Sequence, residues 1–186
     1  MRLFIATQFP GEVLNDLNEQ VARFRSRLPH ASWVRPEAQH LTFAFLGDQP
    51  ESLVSRLATP LTSAVGAISC FDASLRGSGF FPNPRHARVG WVGLEPESPF
   101  QQVAGAVRDV VTAVGVALDK SDFKAHLTLM RIRESWPPSS IVLFSRSMRD
   151  WQSAPFIVDN VTLFSSQLHP KGAIHTPLHT FALGST

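Results

Sequence analysis

The segment His40-Leu41-Thr42-Phe43-Ala44-Phe45-Leu46-Gly47 is echoed 86 residues later by His126-Leu127-Thr128-Leu129-Met130-Arg131. Residues two apart on a strand share a face, so each copy sets an imidazole and a hydroxyl side by side. Strict alternation then sends Leu41, Phe43 and Phe45 to the other side in the first copy, and Leu127 and Leu129 in the second. The apolar face seeks the interior, and the His-Thr pair must meet something polar. A cleft lined by both pairs, His40 with Thr42 and His126 with Thr128, satisfies both demands.

The same offset runs through the residues upstream. Leu14, Leu17, Val21, Phe24 and Leu28 have the spacing of one helix face, and adding 86 gives Phe100, Val103, Val107, Val110 and Val114, all apolar. Pro10 stands in the first turn of the first helix. Ser98-Pro99 is the expected start of the second and Gly115 its expected end. Ahead of each helix lies a strand-like run, Arg2 to Thr7 and Arg88 to Leu94, so the unit is strand, helix, strand, twice. Shared helical spacing alone is common; aligned histidines are not.

Further strands are expected at Ile68 to Arg76, Phe156 to Ser165 and Ala173 to Ala182, with loops at Gly77 to Arg85 and at Trp136-Pro137-Pro138. Leu53, Leu57, Leu61 and Val65 predict a helix over 50–65, kinked at Pro60. Strands outnumber helices and few pairs have a helix between them. The class is therefore α+β with antiparallel sheets.

Size and charge narrow the function. The 186 residues are enough for one cored domain over 1–186 and short for two independent ones. A formal charge of +2 is too small for a protein that coats duplex nucleic acid, and suits an anion held locally. The single cysteine, Cys70, forms no intramolecular disulfide and reads as a small apolar filler. The apolar run after Met1 is too short for a signal core or a membrane span, which leads to the expectation of a cytoplasmic protein away from membranes.

Two imidazoles opposed across a phosphate can divide a hydrolysis between them. One, neutral, takes a proton from water; the other, protonated, gives one to the departing oxygen. Imidazole suits both tasks because its ordinary pKa lies near neutrality. The threonine hydroxyls and a cation can bind the non-bridging oxygens as charge builds there. The competing reading is a metal site, but H-x-H, H-E-x-x-H and D-x-H patterns are missing from the sequence. His175 and His179 are four apart with Pro177 between them, which argues against a chelating helix. No metal and no cofactor is expected.

Beyond these motifs, Arg2-Leu3-Phe4-Ile5-Ala6, Trp33-Val34, Phe45-Leu46-Gly47, Gly79-Phe80-Phe81-Pro82, Arg88-Val89-Gly90-Trp91-Val92-Gly93 and Leu163-Phe164-Ser165-Ser166-Gln167-Leu168 complete a pattern. The whole resembles the 2H phosphoesterases, and within them the RNA 2′,3′-cyclic phosphodiesterases once called 2′-5′ RNA ligases. The resemblance implies a bilobal, pseudo-twofold fold with a central cleft and helices packed outside. It also implies opening of an RNA 2′,3′-cyclic phosphate to a 2′-phosphate, with His40 as proton donor and His126 as proton acceptor. The near-symmetric spacing cannot assign those two roles by itself. Arg131 matches a phosphate-holding arginine of the family, although strict alternation puts it on the face opposite Thr128, so the strand must bend there. Two positions depart from the family pattern: Ala125 stands where proline is frequent, and His175 where tyrosine is common.

Trp33 is a candidate for stacking on a terminal base, with a core role as its competitor. Phe43, Phe45, Phe80 and Phe81 are read as core, and Arg23, Arg25 and Arg27 as a solvated helix face. His30, His86 and His169 receive no role. The expected substrates are RNA 3′ ends or small cyclic nucleotides, handled by a monomer. The alternatives are a related enzyme for another cyclic nucleotide or for joining RNA ends through a 2′-5′ bond, and a binding module for RNA ends without turnover.

Overall fold

The first strand, β1 (Arg2–Thr7), is buried from Leu3 onward on both faces, which marks it as a central strand. It pairs antiparallel with β3 (Leu41–Asp48) on one side and with β8 (Asn160–Gln167) on the other, and β9 (Ile174–Ala182) completes a four-stranded sheet in the order β3-β1-β8-β9. A second sheet runs β2 (Ser32–Trp33), β6 (His126–Arg131), β5 (Val89–Glu95), β4 (Phe71–Phe81), β7 (Phe156–Val158). This computed structural model describes residues 1–186 apart from Leu168, Pro170, Lys171, Gly172 and Thr186. Leu168, the end of the last resemblance segment, therefore lies outside the described residues.

The two sheets repeat one plan. Each H-x-T strand, β3 or β6, flanks the strand that opens its repeat, β1 or β5, and each opening strand has a further antiparallel partner, β8 or β4. The exception is β2, which comes from the first half of the chain but pairs with β6 of the second. That exchange ties the halves together, as does the single large cluster of buried side chains drawn from both.

The helices are α1 (Gly11–Arg25), α2 (Ser52–Gly66), α3 (Glu97–Ala113) and α4 (Pro138–Met148). Helix α2 presents Leu53, Leu57, Leu61 and Val65, none more than 1% exposed, toward α3 and β9. Each such burial is worth about 1.5–3 kcal/mol, which is why the helix runs through Pro60, whose exposed ring sits on the solvent side. The stripe of α1 is Val13, Leu17, Val21 and Phe24; Leu28 lies beyond the helix end. In α3 Val111 rather than Val110 completes the stripe, and the helix starts at Glu97, before Ser98-Pro99. Its end is as expected: Gly115 takes φ +88°, and the amides of Gly115 and Val116 close back on Thr112 and Val111.

Three expectations need correction. The segment read as a loop from Gly77 is the second half of β4, because Gly77 at φ +70° absorbs a bulge and pairing with β5 resumes at Ser78. The expected strand Phe156 to Ser165 is two strands, since the chain leaves the second sheet after Val158 and joins the first at Asn160. The break at Trp136-Pro137-Pro138 is followed by α4, started by Pro138 in its first turn and buried through Phe144 and Met148.

One irregularity positions the site. Opposite β1, the pairing of β3 slips by one residue between Thr42 and Ala44; opposite β5, the pairing of β6 slips equally between Thr128 and Met130. Directly paired residues lie on the same face of a sheet. Each bulge thus reverses the alternation just past its threonine. Phe43 and Ala44 both turn inward, as do Leu129 and Met130, and the next residue, Phe45 or Arg131, comes out on the histidine side.

Candidate active site

Both H-x-T pairs open into one cleft of about 830 Å³ between the sheets, and His40, Thr42, His126 and Thr128 all line it. Strands β3 and β6 run close together there. The imidazoles are held alike. Nδ1 of His40 lies 2.8 Å from the carbonyl oxygen of Ala38, and Nδ1 of His126 lies 2.7 Å from that of Lys124. A carbonyl oxygen only accepts, so each Nδ1 carries the proton and donates. In a neutral ring Nε2 is then the unprotonated nitrogen, and in a charged ring it is the donor. Either histidine is therefore ready to act through Nε2 as base or as acid.

Electrostatics favour the neutral form in the free protein. Burial, together with the like charge of His175 and more weakly of His126, lowers His40 to about 4, against an upward pull from the Ala38 carbonyl. Burial and the Lys124 ammonium lower His126, again opposed by its backbone hydrogen bond. An anion placed between them reverses the balance, since a nearby negative charge favours the charged imidazole. Among the described residues neither the Thr42 nor the Thr128 hydroxyl is engaged in a hydrogen bond within the protein, which leaves both for a ligand.

Arg131 lies in the cleft on the same face as Thr128, because the bulge supplies the bend that strict alternation lacked. The same bulge logic corrects Phe45: it is not core but 64% exposed in the cleft. Phe81 is also on the cleft, its ring 4.8 Å from that of His126 and edge-on. Phe43 and Phe80 are buried as expected. Trp33 sits half-buried at the cleft edge, packed on the core, with the Arg25 guanidinium 4.9 Å over its ring. Arg25 is thus engaged with Trp33 rather than simply solvated.

Several cleft residues carry no motif. Phe4 is the hub of the first sheet's cleft face, with His40 and His175 each 4.9 Å from its ring and Phe164 stacked on it at 5.2 Å. His175 itself lies 5.2 Å from His40, edge-on, and its Nδ1 is buried with no hydrogen-bond partner among the described residues. Lys124, which anchors His126, bridges to Glu97 at 2.8 Å. The 86-residue offset would have found one of these positions: applied backward from Arg131, it lands on Phe45. Among the described residues no group of three or more His, Cys, Asp or Glu side chains is placed to hold a metal ion. No helix among them is long and apolar enough to cross a membrane.

Comparison with known proteins agrees with this geometry. The family model of the 2′-5′ RNA ligase superfamily matches residues 13–170. The RNA 2′,3′-cyclic phosphodiesterase of Archaeoglobus fulgidus is 32% identical, over 97% of this chain and 99% of that protein. The enzyme of the same name from Thermus thermophilus is 33% identical, over 98% of this chain and 90% of that one. A crystal structure of a Thermus thermophilus protein superposes with a TM-score of 0.76 at 30% identity, covering 100% of this chain and 99% of that one.

Proposed function

The chain belongs to the 2′-5′ RNA ligase superfamily, and from that premise we propose that it hydrolyses RNA 2′,3′-cyclic phosphodiester ends to 2′-phosphomonoesters. The observation that carries this reading is the pair of imidazoles in one cleft, each held by Nδ1 so that Nε2 is the working nitrogen. The relatives' names supply the substrate class.

In this mechanism neutral His126 takes a proton through Nε2 from a water that attacks phosphorus. The P–O3′ bond breaks in line, and protonated His40 gives its Nε2 proton to the departing O3′. The phosphate keeps its bond to O2′. Thr42, Thr128 and Arg131 bind the non-bridging oxygens, where negative charge grows in the transition state. The substrate's own charge counters the burial that keeps His40 neutral in the free enzyme. Trp33, at the cleft edge, is proposed to contact the RNA beyond the reacting nucleotide. No step is assigned to a metal.

The test uses a short RNA ending in 2′,3′-cyclic phosphate, with EDTA present, and His40→Ala and His126→Ala beside the parent protein. The expected result is release of a 2′-phosphate end, with kcat lowered about 10²- to 10⁴-fold in each variant. Binding of the RNA without turnover by the parent protein would instead favour a module that recognises RNA ends.

A further inference from the structure

Residues paired directly across strands share a sheet face. The pairings of Arg2 with Ser166 and of Ser166 with His175 therefore set these three in one row across β1, β8 and β9, and all three line the cleft. Next to this polar row the same face carries Phe4, Ala6 and Phe164, a small cluster apart from the main core. Phe4 connects the row to the reactive pair, since its ring lies 4.9 Å from that of His175 and 4.9 Å from that of His40.

The cations of the cleft are Arg2, Arg35, Arg108, Lys124 and Arg131. Arg108 donates to the Asp119 carbonyl and Lys124 pairs with Glu97, while Arg131 serves the reacting phosphate in the mechanism above. Of the two that remain, Arg2 stands in register with a hydroxyl and an imidazole. Among the described residues its guanidinium has no partner, and Asp48, which faces it across β3, makes no ion pair with it. The 86-residue offset carries Arg2 onto Arg88, whose guanidinium donates to the Arg133 carbonyl at 2.6 Å. Equal positions thus hold one arginine that ties strand ends together and one that the fold leaves uncommitted.

His175 is set up as a donor. Its buried Nδ1 meets no acceptor among the described residues, and an orphaned N–H is worse tolerated than a bare acceptor. The neutral ring therefore carries its proton on Nε2, opposite to His40 and His126, which hold theirs on Nδ1. Burial keeps the ring below the ordinary histidine value, so this neutral donor is its form near pH 7.

We infer that Arg2, Ser166 and His175 form a second phosphate subsite, which takes the phosphoryl group on O5′ of the reacting nucleoside; this rests on the cyclic-phosphodiester reading above. A guanidinium fork, a hydroxyl and an imidazole N–H are three kinds of donor suited to the oxygens of one phosphate. In the mechanism above O3′ departs toward His40. C3′ is bonded to C4′, which bears the C5′–O5′ arm, so the O5′ phosphate lies on the O3′ side of the ribose and away from O2′. The row lies on that side, because His175 is in ring contact with His40 at 5.2 Å. The ribose then crosses Phe4, with one phosphate at the H-x-T pairs and the other at Arg2.

The experiment compares three substrates: adenosine 2′,3′-cyclic phosphate, the same nucleotide with a 5′-phosphate, and the dinucleotide ApA ending in 2′,3′-cyclic phosphate. The proteins are the parent, Arg2→Ala, Arg2→Lys and Ser166→Ala. The parent should prefer a substrate with a phosphoryl group on O5′, as a ratio of kcat/KM. That ratio should fall about tenfold in Arg2→Ala, mostly through KM, less in Ser166→Ala, and recover in part in Arg2→Lys. Added salt should shrink the parent's ratio. A larger gain for the dinucleotide identifies the group as the diester of an RNA chain, and a larger gain for the 5′-phosphate identifies a mononucleotide. No preference in the parent, or a ratio unchanged in Arg2→Ala, overturns the subsite. Should the parent turn over none of the three, the hydrolytic reading fails, and titration calorimetry decides about the subsite. A loss of affinity in Arg2→Ala for adenosine 2′,5′-bisphosphate that exceeds the loss for adenosine 2′-phosphate supports it, and equal losses overturn it. Thermal melts that coincide show that each variant is folded.

Discussion

His175 stands edge-on to His40 with 5.2 Å between ring centroids, and the two share Phe4 as a common neighbour at 4.9 Å. A charged ring at 175 opposes charge on His40, which burial already disfavours. In the mechanism proposed above the working state needs His40 charged and His126 neutral, although both are depressed below the ordinary histidine value in the free protein. The profile of kcat/KM is therefore expected to be a bell centred on the acid side of pH 6.5, with its acid limb near pH 4. The kcat profile, which reports the complex, should lie at higher pH because the bound anion favours a charged His40. Initial rates across pH 3.5–9 measure both, and a kcat/KM optimum above about pH 8 contradicts the scheme.

Replacing His175 by Phe keeps a ring against Phe4 and removes the like charge. Below the titration of His175 that charge is present, so His175→Phe should shift the acid limb of kcat/KM to higher pH. The alkaline limb, governed by His126, should stay where it is. A merely structural role for His175 would lower the whole bell without moving one limb.

The depressed histidines also bear on folding. Between about 4, the value of folded His40, and 6.5, its ordinary value, the unfolded chain binds more protons than the folded one. Stability from keeping this ring neutral is complete above 6.5 and is lost as pH falls toward 4. Urea unfolding at pH 7.5 and at about pH 5 should show the drop, and His40→Asn should flatten it. An unchanged slope in that variant would show that other groups dominate.

Arg131 reaches the cleft from an exposed strand end, so its removal should spare the fold. Arg131→Ala is expected to lower kcat/KM about 10- to 100-fold, the loss of hydrogen bonds to a charged oxygen. Arg131→Lys should recover part of this, since an ammonium keeps the charge without the planar fork. Melting temperatures of all three proteins should agree within about 2 °C.

Gly79 pairs across β4 and β5 with Trp91, whose indole lies over it; a Cβ at position 79 would overlap that ring. Trp91 is in turn 6.3 Å from His126. Gly79→Ala should therefore cost about 1–3 kcal/mol of stability through overpacking and also lower kcat by displacing the aromatic wall of His126. Gly105→Ala, at an exposed helix position with open space for a Cβ, is the control expected to leave kcat unchanged.

The duplicated unit and the H-x-T pairs were legible in the chain because both rest on regular periods. Leu53, Leu57, Leu61 and Val65 mark one helix face, and the histidine and threonine of each motif share one strand face. What was not legible depends on broken periods. Phe45 looked like core because alternation assumes an unbroken ladder, and only pairing against β1 reveals the extra residue. The position of Arg131 was readable only as a condition, that the strand must bend, and the structure meets it. Helix α4 hid behind two prolines and a serine-rich first turn that offers little apolar pattern. Phe4 as hub and His175 as neighbour of His40 depend on which strands pair, and no local signal records that.

The bulges past Thr42 and Thr128 do more than turn two side chains. Because each places its following residue outside the packed interior, positions 45 and 131 can be exchanged without disturbing what lies beneath. A lineage carrying this scaffold can retune what it grips by single steps at either place, while the reactive pair stays untouched. Such uncoupling lets the two lobes differ where they face the cleft while their interiors stay alike.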